Sequence, residues 1–237
     1  MKTTKSRALA ICLTLLFAIG LILPSVTTSA SAQANNGGAA WNKWAVVIGI
    51  GRVWGENLGA DDDAKLMSQI LKNTNGFPTQ NVKLLLNTAA TTANIVQAIK
   101  WLETNVKQAS TVVFFFSGHG SNGAIATYDG ALTGSYLQTL LGDMQPSKFA
   151  LIVAACYSGS MIPYLEGPGR IVVTSATATN PAADSGHYSL FGARFIRDGM
   201  KNKLADANGD GSVSIQEAHY YAEIGLMSDN YGQEMTL

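Results

Sequence analysis

Two side chains in this sequence have the chemistry of nucleophilic catalysis and a setting in which to use it. They are His119, in Ser117-Gly118-His119-Gly120, and Cys156, in Cys156-Tyr157-Ser158-Gly159-Ser160. A thiol is mostly protonated at neutral pH, and a neighbouring imidazole supplies the base or ion-pair partner that yields thiolate. Each loop follows an apolar run, Val112–Phe116 before the histidine and Phe149–Ala155 before the cysteine. Continuous apolar runs read as strands buried on both faces, here Thr111–Ser117 and Phe149–Ala155, whereas half-exposed strands alternate. As parallel neighbours their carboxyl ends lie about 4.8 Å apart, at the edge where open α/β sheets bind ligands. Gly118 and Gly120 clear side chains from around His119, so that a peptide can lie close to the backbone. The N–H groups of Gly120 and Cys156 are then candidates to face a developing oxyanion. The chemistry implied is that of a cysteine peptidase. A structural cysteine with an unrelated loop histidine is the plainer alternative, and the matching strand-then-loop settings argue against it.

Strand–Ser117-Gly118-His119-Gly120 and strand–Ala155-Cys156-Tyr157-Ser158-Gly159-Ser160-Met161 together resemble the caspase-like cysteine peptidases of clan CD, and most of all the legumain family. Thr177-Ala178-Thr179-Asn180-Pro181 is similar to a legumain strand-to-loop segment, and the resemblance covers most of residues 44–200. It implies an α/β fold, a three-layer α/β/α sandwich around a mostly parallel, roughly six-stranded sheet. It also implies an endopeptidase with Cys156 as nucleophile and His119 as its partner, passing through a thioester acyl-enzyme on a protein or peptide substrate. Ser175 and Ala176, where the strand Arg170–Ser175 runs into a loop at the same sheet edge, are candidates for substrate binding. Legumains cleave after Asn through an Arg-His pair after the first strand and a Glu two residues before the cysteine. This chain has Glu56-Asn57-Leu58-Gly59-Ala60 and Ala154 there, and Ala154 also replaces the Asp of the Arg/Lys-cleaving metacaspases. A basic preference therefore needs its counter-charge from Asp61–Asp63 or Asp184. Transpeptidation, and an inactive caspase-like module that binds calcium and partners, are the alternatives.

The elements that must position this pair are legible in order. Lys2, Lys5 and Arg7 precede an uncharged apolar run, Ala8–Leu23, then Pro24 and the small residues Ala30-Ser31-Ala32. This reads as a signal peptide, residues 1–32, and predicts a secreted or extracytoplasmic protein with no stable membrane partner after cleavage. Cleavage removes Cys12 and leaves Cys156 as the one cysteine, so no internal disulfide is expected. Residues 33–40 read as a linker and 41–237 as one peptidase domain. With 47% hydrophobic and 14% charged residues over 237 positions, the chain can bury a substantial core. Its 16 basic residues balance 16 acidic ones, and no basic patch invites a nucleic-acid partner.

Trp44–Ile50 is the first expected strand, followed by a Gly-rich loop and a helix from Asp61 to about Asn73. Three acids in its first turn, Asp61, Asp62 and Asp63, suit the helix dipole, with a site for a cation or basic substrate as the functional alternative. Asn81–Leu86 is a short strand, and Thr91 or Thr92 caps a helix to about Lys107. A hairpin or irregular loop is expected at Ser121–Leu132, and a short helix at Leu137–Met144. Alternating strands and helices of this kind form a doubly wound sheet. His187 lacks the strand-then-glycine setting and reads as a surface or substrate-loop residue. His219 sits in a helical pattern as a packing residue, and the scattered histidines exclude a zinc site.

Asp206-Ala207-Asn208-Gly209-Asp210-Gly211-Ser212-Val213-Ser214-Ile215-Gln216-Glu217 fits the twelve-residue EF-hand loop. Asp206, Asn208 and Asp210 supply side-chain oxygens, Ser212 a carbonyl and Glu217 a bidentate carboxylate, which predicts a structural Ca²⁺ site. Ser214 and Glu217 also have the spacing of a capping box, which needs neither the Asp/Asn triplet nor Gly211. No cofactor is expected for catalysis.

Overall fold

The apolar runs become five strands: β1 (Lys43–Gly49), β2 (Val82–Leu86), β3 (Thr111–Ser117), β4 (Lys148–Ala154) and β5 (Arg170–Thr174). This computed structural model describes residues 42–53, 55–184 and 186–228, all within the unit Asn35–Leu237. The expected signal peptide and linker lie outside the described residues. The strands pair in the order β5-β4-β3-β1-β2, and every pairing is parallel. The sheet has five strands among the described residues, not the expected six. Beyond β5 the chain turns into a loop and a helix instead of a further strand.

Because successive side chains in a strand point to opposite faces, the apolar runs feed two cores. Phe114 and Phe116 of β3 and Leu151 and Val153 of β4 are buried on one face. They pack with α2 (Thr92–Asn105) through Ile95, Ile99 and Leu102, and with α3 (Gly134–Leu141) through Leu137 and Leu141. Val47, Phe115 and Ile152 face the other way, onto α1 (Ala60–Asn73) at Met67 and Leu71. A π-helix, Gly192–Lys201, and a C-terminal helix, Ile215–Ser228, complete that second layer with Phe195 and Ala222. The result is the expected three-layer α/β/α sandwich.

Local chemistry sets the boundaries. Thr91 caps α2 by accepting the Asn94 N–H, and Thr133 caps α3 by accepting the Tyr136 N–H. The second cap starts α3 three residues before the expected Leu137 and lets it end at Leu141. The expected hairpin is a three-stranded antiparallel ribbon: Gly120–Ser121, Ala124–Ala126 and Ala131–Thr133. Chain order reverses between β1 and β3, since β2 lies outside β1 while β3 and β4 continue on the other side. Ligands of open α/β sheets bind at such a reversal, beyond the carboxyl ends of the strands.

Candidate active site

The register of β3 on β4 pairs Ser117 with Ala154, so both reactive loops leave the sheet at one level. The Gly118 N–H donates to the Ala154 carbonyl at 3.0 Å. Two residues on, Gly120 packs so tightly on the cysteine turn that a Cβ there would lie 2.6 Å from the Cys156 carbonyl oxygen and 2.8 Å from Ala155 Cβ. The glycine is therefore demanded by the approach of the two loops. Its N–H lies outside the ribbon ladder: Gly120 faces Ile125, and the bond beside it runs from the Ala126 N–H to the His119 carbonyl.

Cys156 is a free thiol, half-buried, with Sγ 3.7 Å from the Ala182 carbonyl oxygen. The residue after it, Tyr157, has φ +57°, a conformation that costs a non-glycine residue energy and recurs at functional turns. That turn is held from the far side. Tyr157 N–H donates to the Asn180 carbonyl (3.0 Å) and Gly159 N–H to the Ala176 carbonyl (2.9 Å). The buried Ser158 hydroxyl also accepts the Ala176 N–H (3.2 Å).

Between the loops lies a narrow cavity of ≈ 120 Å³, with Ser117, His119, Cys156, Ser175, Asp184 and Ser189 on its walls. Ser175 lines it, its hydroxyl accepting the Ala155 N–H at 3.0 Å. Ala176 does not. It is fully buried, and its backbone is spent on Ser158 and Gly159.

The three acids of the first turn of α1 do different jobs, and no side-chain hydrogen bond caps that helix. Asp61 is buried, which opposes ionisation, yet the Lys65 ammonium and Asn87 hold its carboxyl below the usual range. Asp62 is paired with Lys65 (2.8 Å) and with the exposed His187 (3.0 Å). Asp63 is fully buried under the cavity, and its Oδ2 accepts from the hydroxyls of two wall residues, Ser117 (2.8 Å) and Ser189 (2.6 Å). Oδ1 is buried without a hydrogen-bond partner, against Gly192, where no Cβ would fit. Burial pushes the Asp63 carboxyl up to about 7, against the pull of the two hydroxyls and with the charge of Asp184 adding to the rise. Asp184 is fixed on the wall by the Gly59 N–H (3.0 Å) and the Gly186 N–H (2.6 Å).

His187 is a surface residue. His219 is buried, which holds its imidazole below the usual range even though Glu223 opposes this.

In the calcium-like loop the side chains turn inward on the backbone. Asp206 Oδ2 accepts the Gly211 N–H (3.0 Å), Asn208 Oδ1 the Asp210 N–H (2.8 Å) and Asp210 Oδ1 the Ser212 N–H (2.8 Å). Gly209 and Gly211 have φ +72° and +83°, as the tight loop requires. Glu217 is drawn to Ser214, accepting from its N–H and its hydroxyl at 2.8 Å each, and Ser214 accepts the Glu217 N–H at 3.2 Å. This is the capping box, and these bonds hold the Glu217 carboxyl below its usual range. Among the described residues no three His, Cys, Asp or Glu side chains converge to hold a metal ion.

Sequence reasoning gave Asp63 a helix-dipole role, with a cation or basic-substrate site as the alternative, and offered Asp184 as a possible counter-charge. It left unmarked the part of Ser117 and Ser189 in linking Asp63 to the cavity. The signal for Ser117 was its place at the end of a buried strand. Nothing in the sequence marks Ser189, because its position is set by long-range packing against Asp63.

Against known proteins, residues 42–206 match the family model described as "Caspase domain", more than half of the chain. Metacaspase-1A of Aspergillus oryzae is 28% identical over 152 residues, 51% of this chain and 36% of that protein. Metacaspase-3 of Arabidopsis thaliana is 36% identical over 69 residues, 27% of this chain and 19% of that protein. The matched stretch thus spans about a third or less of these curated relatives. Among solved structures, a Geobacter sulfurreducens protein superposes with TM-score 0.65 at 16% identity, covering 82% of this chain and 92% of that one. Caspase-1 of Spodoptera frugiperda does so with TM-score 0.56 at 15% identity, covering 81% and 79%. These likenesses bear on the fold alone.

Proposed function

The chain belongs to the caspase domain family, and from that premise we propose a cysteine endopeptidase that uses Cys156 and His119 to cleave peptide bonds after a basic residue. The observation that carries the proposal is the convergence of the two loops on one cavity, with Gly120 pressed on the Cys156 carbonyl. In the proposed reaction His119 takes the thiol proton and the Cys156 sulfur attacks the scissile carbonyl carbon. The resulting oxyanion is met by the N–H groups of Gly120 and Cys156. The C–N bond then breaks, His119 gives its proton to the leaving amine, and a thioester remains. Water, deprotonated by His119, attacks the thioester and regenerates the thiol.

The basic preference rests on charge. Asp184 stands on the wall of a narrow cavity, and Asp63 lies beneath it behind two hydroxyls. A slim cationic side chain is the group such a slot favours, since its charge also favours the ionised form of Asp63. The likeness of Ala155–Met161 to the legumain nucleophile segment supports Cys156 as nucleophile. It carries no Asn pocket, because Ala154 and Glu56–Ala60 stand where that pocket would be.

Export through residues 1–32 and a structural Ca²⁺ at Asp206–Glu217 belong to the same proposal. The buried, unpartnered Asp206 Oδ1 fits a cation in the loop, and each oxygen now accepting an N–H keeps a second lone pair. Asp206, Asn208, Asp210, the Ser212 carbonyl and Glu217 would hold the ion, which would stabilise the loop and take no part in bond cleavage.

The test is a peptide-library cleavage profile with stoichiometric labelling of Cys156 by a thiol-directed affinity probe. Labelling with cleavage after Lys or Arg is expected. No labelling favours the inactive module, cleavage after other residues refutes the pocket reading, and amide products from added amines favour transpeptidation.

A further inference from the structure

We propose that Glu56 is a positioning residue that holds the Nε2–H of His119, leaving Nδ1 to exchange the proton with the Cys156 thiol. The inference rests on the dyad proposed above. Glu56 Oε2 lies 3.0 Å from His119 Nε2, an ion-pair contact rather than an aligned hydrogen bond, with the imidazole 24% exposed and the carboxylate 58%. An ionised carboxylate can accept but not donate, so at this distance it favours a proton on the nitrogen facing it. The neutral ring is thereby biased to the tautomer with its lone pair on Nδ1.

The contact is built, not incidental to a loose loop. Glu56 sits in a two-stranded ribbon after β1, where Val53 pairs with Glu56 and Arg52 with Asn57. Gly55, at φ +84°, supplies the left-handed residue of the turn. Val53 is buried and anchors the ribbon in the core. The Leu58 N–H closes its base on the Gly51 carbonyl at 2.7 Å. Asn87, reaching in from the end of β2, accepts the N–H groups of both Gly51 (2.9 Å) and Arg52 (3.0 Å). Asn87 has φ +48°, and its amide reaches Asp61 Oδ2 at 3.4 Å. The loop beyond β1 is thus tied to the first turn of α1 and to β2, and from it the carboxylate crosses to the histidine loop of the neighbouring strand. A pair this exposed contributes little to stability. Its value lies in orientation, and in a negative partner for the imidazolium formed when the thiol gives up its proton.

The experiment compares Glu56→Ala, Glu56→Gln and wild type in kcat and KM on a fluorogenic basic peptide, with Tm and Cys156 alkylation by iodoacetamide alongside. Glu56→Ala should lower kcat about tenfold to a hundredfold, less than the ~10⁴ lost when a buried orienting Asp is neutralised in a triad. KM should stay within about twofold, and Tm should not change. Glu56→Gln keeps an acceptor oxygen and should recover part of the lost kcat. Unchanged kcat in Glu56→Ala overturns the proposal, as does a change in KM alone or a fall in Tm that accounts for the lost activity. A rise in activity overturns it too, and makes the contact inhibitory. Cys156→Ala and His119→Ala, run beside it, separate the two levels. If they retain activity the dyad fails, whereas if they are inactive and Glu56→Ala is not, only the role of Glu56 falls.

Discussion

Replacing Asp63 by Asn tests the pocket and the buried carboxyl together. The folded chain holds the Asp63 carboxyl at about 7 against an ordinary value of 3.8. A raised carboxyl means that, between those values, the folded state keeps a proton that the unfolded state has released. Stability from this group therefore falls as pH rises from about 4 to about 7, and is level above that. At pH 8 the group opposes folding by roughly 4 kcal/mol as a buried carboxylate, and at pH 5, where the folded state keeps the proton, its cost is less than half as much. The substituted amide does not titrate, so the stability of Asp63→Asn relative to wild type should rise by roughly 2–3 kcal/mol between pH 5 and pH 8. The size of the amide swap itself is the same at both pH values and cancels in that comparison.

Urea unfolding of both proteins at the two pH values measures this directly. A relative stability that does not change with pH refutes the buried, proton-holding Asp63. The second readout is selectivity. Loss of the charge behind Ser117 and Ser189 should lower kcat/KM on basic substrates by about tenfold to a hundredfold, the scale of one charged hydrogen bond. Alkylation of Cys156 should be unaffected. If selectivity is kept while the pH signature is lost, the carboxyl is structural and Asp184 alone reads the substrate.

Cys156→Ser and His119→Ala should each lower peptide cleavage by about 10³-fold or more without loss of fold, measured as kcat/KM and far-UV circular dichroism. Gly120→Ala should cut activity and also lower Tm, since its Cβ has no room against Cys156 and Ala155. Phe115→Ala, in the second core and fully buried, should cost about 3–5 kcal/mol of stability in urea unfolding. Calcium at tenfold its dissociation constant should add about 1.4 kcal/mol and raise Tm by a few degrees. Glu217→Gln should blunt that rise, and an unchanged Tm leaves the loop a capped turn.

What was legible in the sequence follows the range over which each feature is decided. The strand Thr111–Ser117 is bounded as expected because its apolar run and the glycine after it are local signals. The same holds for the Thr91 cap. The sixth strand came from resemblance, and no local pattern in this chain demanded it. The π-helix Gly192–Lys201 escaped for a different reason. Phe191 and Phe195, stacked at 4.7 Å, give a spacing that serves an α-helix equally well. Its i→i−5 bonding shows at its end, where the Asn202 N–H donates to the Arg197 carbonyl at 3.0 Å.

The same distinction explains the site. His119 and Cys156 were readable because each is delivered by its own strand, and a parallel register needs no long-range information beyond the neighbour. The groups proposed to act beside them come from elsewhere: Glu56 from the ribbon after β1, Asp63 from the first turn of α1, Ser189 from just before the π-helix. Three acids in succession read most simply as a dipole effect, since a helix N-terminus favours any of them. Only the packed structure shows that one is paired with Lys65, one with a surface histidine and one buried under the cavity. A carboxylate that is expensive to ionise is kept in the interior here, with its Oδ1 unpartnered. Perturbed groups of this kind cluster at functional sites, which fits the proposed role. In the proposed peptidase that cost is offset when a cationic side chain enters the cavity above the carboxylate, so the same buried charge that weakens the empty fold would favour the occupied one.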